Sequence, residues 1–448
     1  MSVRDKLVAL FIAALAITAP AAVLRGICAA NACRPVANAA TKVPFCSLAP
    51  DVKRRIVKGY RDGRSPDLLA ITERAAVGVN ADGVASAWPS LHSPKPAVPI
   101  GFYGYGVSHG RRIPPGTTLD AVAPTIAEIL GIRRPHPQVR SGHALEGVAS
   151  GSRPRLVLEI VGKGIAGGRL RSIQARHRRS LWTRMRSGGA VTFAADPGSL
   201  PLDPAAVLTT IGTGGMPFQH GITGTRIRND QGKVVPAWGP GAPVSVIAAL
   251  GDDLDHQMHQ RPLVGMVALN RSDRGVIGGN WYVGHDRDDV RIISRKGTPR
   301  ALERAEERAV HGLLRRGYGA DATPDLLAVV LDVRASAFTN SLARLYDAAR
   351  TAAHGRAALV VTATGAEHAR SPIRASTVVR RLDHDLHGDP QVVAARAVGG
   401  LFLRQRTLSQ NSLSDAGAAR ILERQRLGGR ALFADVFPSI AVSFARYC

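Results

Sequence analysis

The sequence predicts an α/β fold built around a mostly parallel sheet. Two observations predict it. Its short apolar runs are continuous rather than alternating, the pattern of strands buried on both faces. Between those runs lie stretches of helical periodicity, so strand and helix alternate along the chain. With 448 residues, 45% of them hydrophobic, the chain can bury a large core, and length alone allows about two or three domains.

The N-terminus reads as an export signal. Arg4 and Lys6 make a short basic end, and Leu7–Leu24 is an uncharged, mostly apolar run containing Pro20. Ala19-Pro20-Ala21 and Ala30-Asn31-Ala32 both place small residues as a signal peptidase requires. Residues 1–27 are therefore expected to be a signal peptide and the protein secreted or extracytoplasmic. The rival is an uncleaved N-terminal anchor, since the run reaches the lower edge of a membrane span. Residues 28–64 form a lead-in expected to be tied by disulfides. The chain has four cysteines, Cys28, Cys33, Cys46 and Cys448. An even count in an exported chain points to disulfides in one of three pairings. Cys28–Cys33 with Cys46–Cys448 is the expected pairing, the second clipping the tail to the start of the domain. Without paired Cys-x-x-Cys units a cysteine metal site is not expected.

Strands are expected at Leu68–Thr72, Val98–Tyr103, Leu156–Val161, Val264–Leu269, Leu326–Leu331 and Ala358–Thr362. Helices are expected at Asp120–Leu130, Leu302–Arg316, Leu342–Ala353 and Asp415–Arg426. In the second helix Leu302, Ala305, Ala309, Leu313 and Leu314 form one apolar stripe. Ser414 can cap the last helix, and Gly428 sits near its end. A small, polar, Pro-terminated stretch, Ala149-Ser150-Gly151-Ser152-Arg153-Pro154, reads as a linker between segments 65–150 and 151–448.

Formal net charge is +25, and nearly all the cation is Arg, often in pairs such as Arg111-Arg112 and Arg133-Arg134. A nucleic-acid binder concentrates charge on one helix or arm with aromatics interleaved. Here the charge is spread and aromatics are only 5%, so nucleic acid is not the expected partner. The reading favoured is a solvated basic surface; an anionic ligand, a cell-surface polyanion or lipid head groups would suit it if it has a partner. Contact with a membrane is expected only through an uncleaved N-terminal segment.

Three motifs carry chemistry. Thr209–Gly224, TTIGTGGMPFQHGITG, is rich in hydroxyls and glycines. Such a stretch can present backbone N–H groups to an anion, and an activated Thr hydroxyl can act as a nucleophile. It can equally be a tight turn packing a strand on a helix. Leu156–Gly167 contains Gly162-x-Gly164-x-x-Gly167 after a strand, the dinucleotide fingerprint. The acidic residue that fingerprint needs about 20 positions on is missing, and Arg169–Arg186 is strongly basic, so an NADP-binding oxidoreductase is a distant third reading. His256/His259 and His384/His387 each form His-x-x-His, more often solvated surface than metal site.

Taken together, these residues resemble the alkaline phosphatase superfamily, nearest its type I phosphodiesterase and nucleotide pyrophosphatase branch. TTIGTGGMPFQHGITG resembles the segment following the nucleophile. LDAVAPTIAEILGI (Leu119–Ile132) resembles the C-terminal Asp-x-x-Pro-Thr helix. VPIGFYGYGV (Val98–Val107) and ALVVTATGA (Ala358–Ala366) resemble neighbouring strands. The resemblance covers most of residues 65–370 and implies a three-layer sandwich with a mostly parallel central sheet. The motifs run in the reverse of the family order, which implies a circular permutation joined near residue 151, both segments forming one structural domain. The resemblance also implies a metal-binding Asp after the first strand, where this chain has Lys163, and an Asp-His pair where it has Thr364 and Gly365. No hydroxyl lies where the nucleophile belongs. Two functions follow. One is a metal-depleted, non-catalytic relative that binds an anionic or phosphorylated ligand through Lys163, Gly212, Thr213 and Gly214, with no cofactor. The other is an active phosphodiesterase or phosphatase. It would use Thr209 or Thr210 as nucleophile with His220, and zinc or manganese on Asp332, His384 and His387.

Overall fold

The computed structural model describes residues 45–72, 76–79, 85–88, 97–177, 180–279, 281–282, 288–294, 296–365, 372–373, 392–427, 429–445 and 448. Its centre is a seven-stranded sheet. The strands are β2 (Val98–Gly104), β3 (Leu156–Gly162), β4 (Gly189–Ala195), β5 (Val264–Ala268), β6 (Asp289–Ile292), β7 (Asp325–Leu331) and β8 (Ala357–Ala363). They lie in the order β6-β5-β7-β3-β8-β2-β4. The first five run parallel, with Val157 of β3 level with Leu326 of β7 and Ala358 of β8. β2 is antiparallel to both β8 and β4. Continuous apolar runs thus become central strands covered on both faces.

Helices cover the two faces. Leu156, Leu158 and Ile160 point to one core, shared with α3 (Gly167–Arg176), α4 (Leu181–Gly188), α8 (Pro299–Leu314) and α9 (Ala335–Ala352). Val157 and Val161 point to the other, shared with α1 (Pro50–Gly59), α2 (Val122–Leu130), α5 (Pro204–Thr213) and α7 (Leu250–Gln257). The short helix α6 (Pro217–His220) follows α5. This is the three-layer α/β arrangement expected. β2 precedes the 149–154 linker in sequence, yet it sits inside the sheet, so the segments on either side of the linker share one sheet.

Leu68–Thr72, β1, is a strand as expected but not of the central sheet. It lies in a four-stranded antiparallel sheet with β9 (Val393–Ala397), β10 (Gly400–Leu403) and β11 (Phe433–Pro438), in the order β9-β10-β1-β11. Its run is continuously apolar because both faces are covered. Leu69 and Ile71 face the main core, and Leu68 and Ala70 face a separate cluster with α11 (Asp415–Glu423), which follows α10 (Gln405–Gln410). After β11 comes α12 (Ile440–Ser443), and Cys448 closes a disulfide with Cys46. Cys28 and Cys33 lie outside the described residues.

Candidate functional site

In open α/β sheets the ligand crevice lies at the carboxyl ends of the parallel strands. Here those ends bring together Lys163 after β3, the turn Arg271–Val276 after β5, Asp332 after β7 and Thr364 after β8. Lys163 is buried, and its ammonium donates to both oxygens of Asp273, at 2.8 and 3.0 Å. The two side chains are 3% and 1% exposed. Burial pushes the Asp273 carboxyl upward, and the neighbouring Lys163 opposes that shift. Thr364 accepts from the backbone N–H of Gly164 at 3.0 Å, closing the turn after β3. Asp332 is exposed. His384 and His387 lie outside the described residues.

The helix that follows the crevice is α5, and the sequence places its start clearly. Asp203 caps it, its Oδ1 accepting from the Ala205 N–H at 2.9 Å and from the Thr225 hydroxyl at 2.8 Å, with Pro204 at the first position. Burial raises the Asp203 carboxyl, while its bonds to Thr225 and Ala205 and the nearby Lys163 charge act the other way. Gly214, in a left-handed conformation at φ 74°, ends the helix.

Thr209, Thr210 and Thr213 are therefore buried inside a helix rather than displayed on a loop. Thr209 donates its hydroxyl to the Ala205 carbonyl at 2.8 Å, and Thr213 donates to the Thr209 carbonyl. His220 is fully buried, and its Nδ1 accepts from the Ile222 N–H at 3.1 Å. The ring proton must then sit on Nε2, which faces the Thr210 hydroxyl at 3.1 Å, so His220 donates to Thr210. Burial, reinforced by Arg61, holds the imidazole down at about 3. A neutral histidine that gives its proton to a threonine cannot also take one from it.

Gly212 and Gly214 likewise have packing tasks. A Cβ on Gly212 would fall 2.2 Å from the Gly275 carbonyl oxygen, and one on Gly275 would fall 2.0 Å from Thr209 Oγ1. The glycines let α5 cross the Arg271–Val276 turn at backbone contact. The carbonyl of Thr213 accepts from Arg134 at 2.8 Å and Arg140 at 3.1 Å, and both arginines also pair with the buried Asp253. Tyr282 adds a hydrogen bond to Asp253 at 2.9 Å. So Lys163, Gly212, Thr213 and Gly214, the anion cradle expected from sequence, do not line an open cradle. The cation is paired, and the helix uses its own N–H groups.

The fingerprint glycines find similar explanations. Gly167 does open a helix, as the dinucleotide pattern requires, but a Cβ there would meet the Phe193 carbonyl oxygen at 2.1 Å. A Cβ on Gly162 would meet Ile165 and Phe338.

The two sequence motifs behind the family resemblance touch in space. Gly142, soon after α2, donates to the Gly214 carbonyl at 2.9 Å, and Ser141 bridges Asp120 and Gln219 at 2.6 and 2.9 Å.

Sequence reasoning missed Asp273, which lies far from Lys163 along the chain and carries no local signal. It also missed Asp203 as a cap, although an Asp-Pro step ahead of a helix is such a signal. A third feature it missed lies at the other end of β2. There Gly104–Ser108, His109, Arg111, Ser150 and Ser152 line an open depression of about 440 Å³. Among the described residues no carboxylate lines it. Arg111 is exposed and forms no ion pair among the described residues.

No known family profile matches this sequence, and no curated protein matches it. Among solved structures, the crystal structure of wild-type alkaline phosphatase PafA is similar at 14% identity and a TM-score of 0.41. The match covers 61% of this chain and 77% of that one.

Proposed function

We propose that this chain is an exported, non-catalytic relative of the alkaline phosphatase superfamily that binds an anionic ligand. One observation carries the reading. At the end of the central strand, where the resemblance calls for a metal-binding carboxylate, stands the buried Lys163 ammonium, already paired with Asp273. A protonated amine cannot ligate a divalent cation, and Thr364 and Gly365 are poor replacements for an Asp-His pair. The described residues therefore do not fit the two-metal centre that would activate a nucleophile and stabilise a transferring phosphoryl group. The buried, hydrogen-bonded threonines of α5 fit a nucleophile no better.

Anion binding is then best supported at the Gly104–Arg111 depression. Arg111 offers a guanidinium and Ser150 and Ser152 offer hydroxyls; His109 lies beside them, while Ser108 gives its own hydroxyl to the Ala149 carbonyl at 3.2 Å. This donor set matches phosphate or sulfate esters. The test is made on the full chain, with inorganic phosphate and aryl phosphate esters as probes. The expected result is no turnover with or without added zinc or manganese, together with phosphate binding that weakens about 10-fold or more in Arg111→Ala, as a lost charged hydrogen bond implies. Stoichiometric metal with turnover abolished in Thr209→Ala or Thr210→Ala would overturn the non-catalytic reading. Unchanged phosphate affinity in Arg111→Ala would overturn the site.

A further inference from the structure

We infer that the face formed by α1, α6 and α12 rests on an anionic lipid bilayer. Nine large apolar side chains are exposed among the described residues, and six of them gather here: Val57, Phe218, Val244, Val246, Ile440 and Phe444. Scattered exposed apolar residues need no explanation, but a cluster does. The elements that carry them are joined. Arg61, just past α1, donates to the carbonyls of Phe218 and Gln219 in α6 at 2.9 and 3.2 Å. Val246 donates its N–H to the His220 carbonyl at 2.9 Å, which seats the Val244–Val246 segment against α6. Ile56 of α1 and Val442 of α12 are buried in the same core. Phe444 is 57% and Ile440 is 49% exposed, one helical turn apart.

Charge argues for lipid over a second protein. α1 and the turn after it carry Lys53, Arg54, Lys58 and Arg61 against Asp51 and Asp62; Arg54 and Lys58 flank Val57 on the helix, and Lys53 donates to the Cys46 carbonyl at 2.8 Å. Apolar side chains set among Lys and Arg on short helices are the pattern of a surface lying in the head-group layer, where anionic lipid adds about 1 kcal/mol per cation. The face is tied to the sheet edge. Arg55 of α1 is buried and pairs with Asp196, just beyond β4 at the sheet edge, at 2.6 Å. The position in the chain would also suit an N-terminal run left uncleaved. Only residues 25–44 separate the apolar run Leu7–Leu24 from Phe45, which leads into α1, and the Cys46–Cys448 disulfide fastens the end of the chain beside it. The face contributes its own lipid contact and does not depend on that run remaining attached.

The test is hydroxyl-radical footprinting of the full chain, free and with phosphatidylcholine vesicles made with or without phosphatidylglycerol. Oxidation of Phe218 and Phe444 should fall several-fold on phosphatidylglycerol vesicles and recover toward the free value in high salt. Ile292, on the opposite sheet edge β6, should be oxidised equally throughout. In a folded Arg54→Glu/Lys58→Glu variant the protection should shrink. Unchanged oxidation of both phenylalanines on vesicles that carry the protein would overturn the inference. So would equal protection on phosphatidylcholine alone, or protection that grows with protein concentration without lipid, which marks a face between two copies.

Discussion

Residue by residue, the unusual investment of this chain is in buried acids. Glu159 sits in the middle of the central strand β3, between Val157 and Val161 on the same face, and is fully buried, with no hydrogen-bond partner for Oε1 among the described residues. Burial pushes its carboxyl from 4.5 up to about 8. Glu306 on α8 is lifted to about 8 by burial, and Asp252 and Asp325 to about 6 by the same cause. A carboxyl raised in the folded state keeps its proton there after the unfolded chain has lost its own. For the two glutamates the contribution is whole below about 4.5 and is lost as pH climbs toward 8; for the two aspartates it is lost between about 4 and 6, in each case at roughly 1.4 kcal/mol per pH unit per group. The protein should therefore be more stable at pH 5 than at pH 8. Glu159→Gln, which keeps the shape and cannot ionise, should match the parent near pH 5 and exceed it by a few kcal/mol near pH 8. Urea midpoints at the two pH values decide this, and parallel slopes for parent and variant would contradict it.

At the scale of elements, the crossing of α5 over the Arg271–Val276 turn is the tightest joint near the crevice. A methyl at Gly275 would lie 2.0 Å from Thr209 Oγ1 and 2.9 Å from its Cα, so backbone must move. Gly275→Ala should cost about 1–3 kcal/mol. Gly168, in the first turn of α3, meets nothing within 4 Å, and Gly168→Ala should stabilise by about 0.5–1 kcal/mol. Thermal melts of the pair, moving in opposite directions, check the argument; a neutral Gly275→Ala would defeat it. The same joint shows what the sequence could and could not reveal. β3, β5, β7 and β8 were legible because central strands must be apolar without interruption. The helix α5 was not, since Thr-Thr-Ile-Gly-Thr-Gly-Gly has little helical propensity and its helicity rests on Asp203, Pro204 and packing. β4 was missed because its exposure is irregular, with Ala194 exposed and Val191 and Thr192 half-buried. Of the site, the odd charge at Lys163 could be read directly. Its partner Asp273, and the use of His220 as a donor, depend on contacts that only the fold creates.

For the molecule as a whole, two constraints close the chain on itself. β2 enters the central sheet between β8 and β4, so sequence from ahead of the 149–154 linker is held by strands from beyond it on both sides. The Cys46–Cys448 disulfide, spanning a sequence separation of 402, joins the start of the described fold to its end, with Cα atoms 5.1 Å apart. A crosslink that closes so long a loop removes much of the freedom of the unfolded chain, a stabilisation of about 6 kcal/mol in the chain-entropy description, of which native disulfides commonly deliver less. Such a bond persists in an oxidising compartment, in keeping with export. Reduction, or Cys46→Ser with Cys448→Ser, should therefore lower the urea midpoint by an amount corresponding to about 2–5 kcal/mol. The loss should be global, because α1, fastened by Arg55–Asp196, and β11, paired along β1, both feed the main core. Hydrogen exchange separates that outcome from local fraying. If only residues 45–60 and 433–445 exchange faster on reduction while β3 and β8 keep their protection at unchanged midpoint, the bond merely pins the ends and the closure argument is lost.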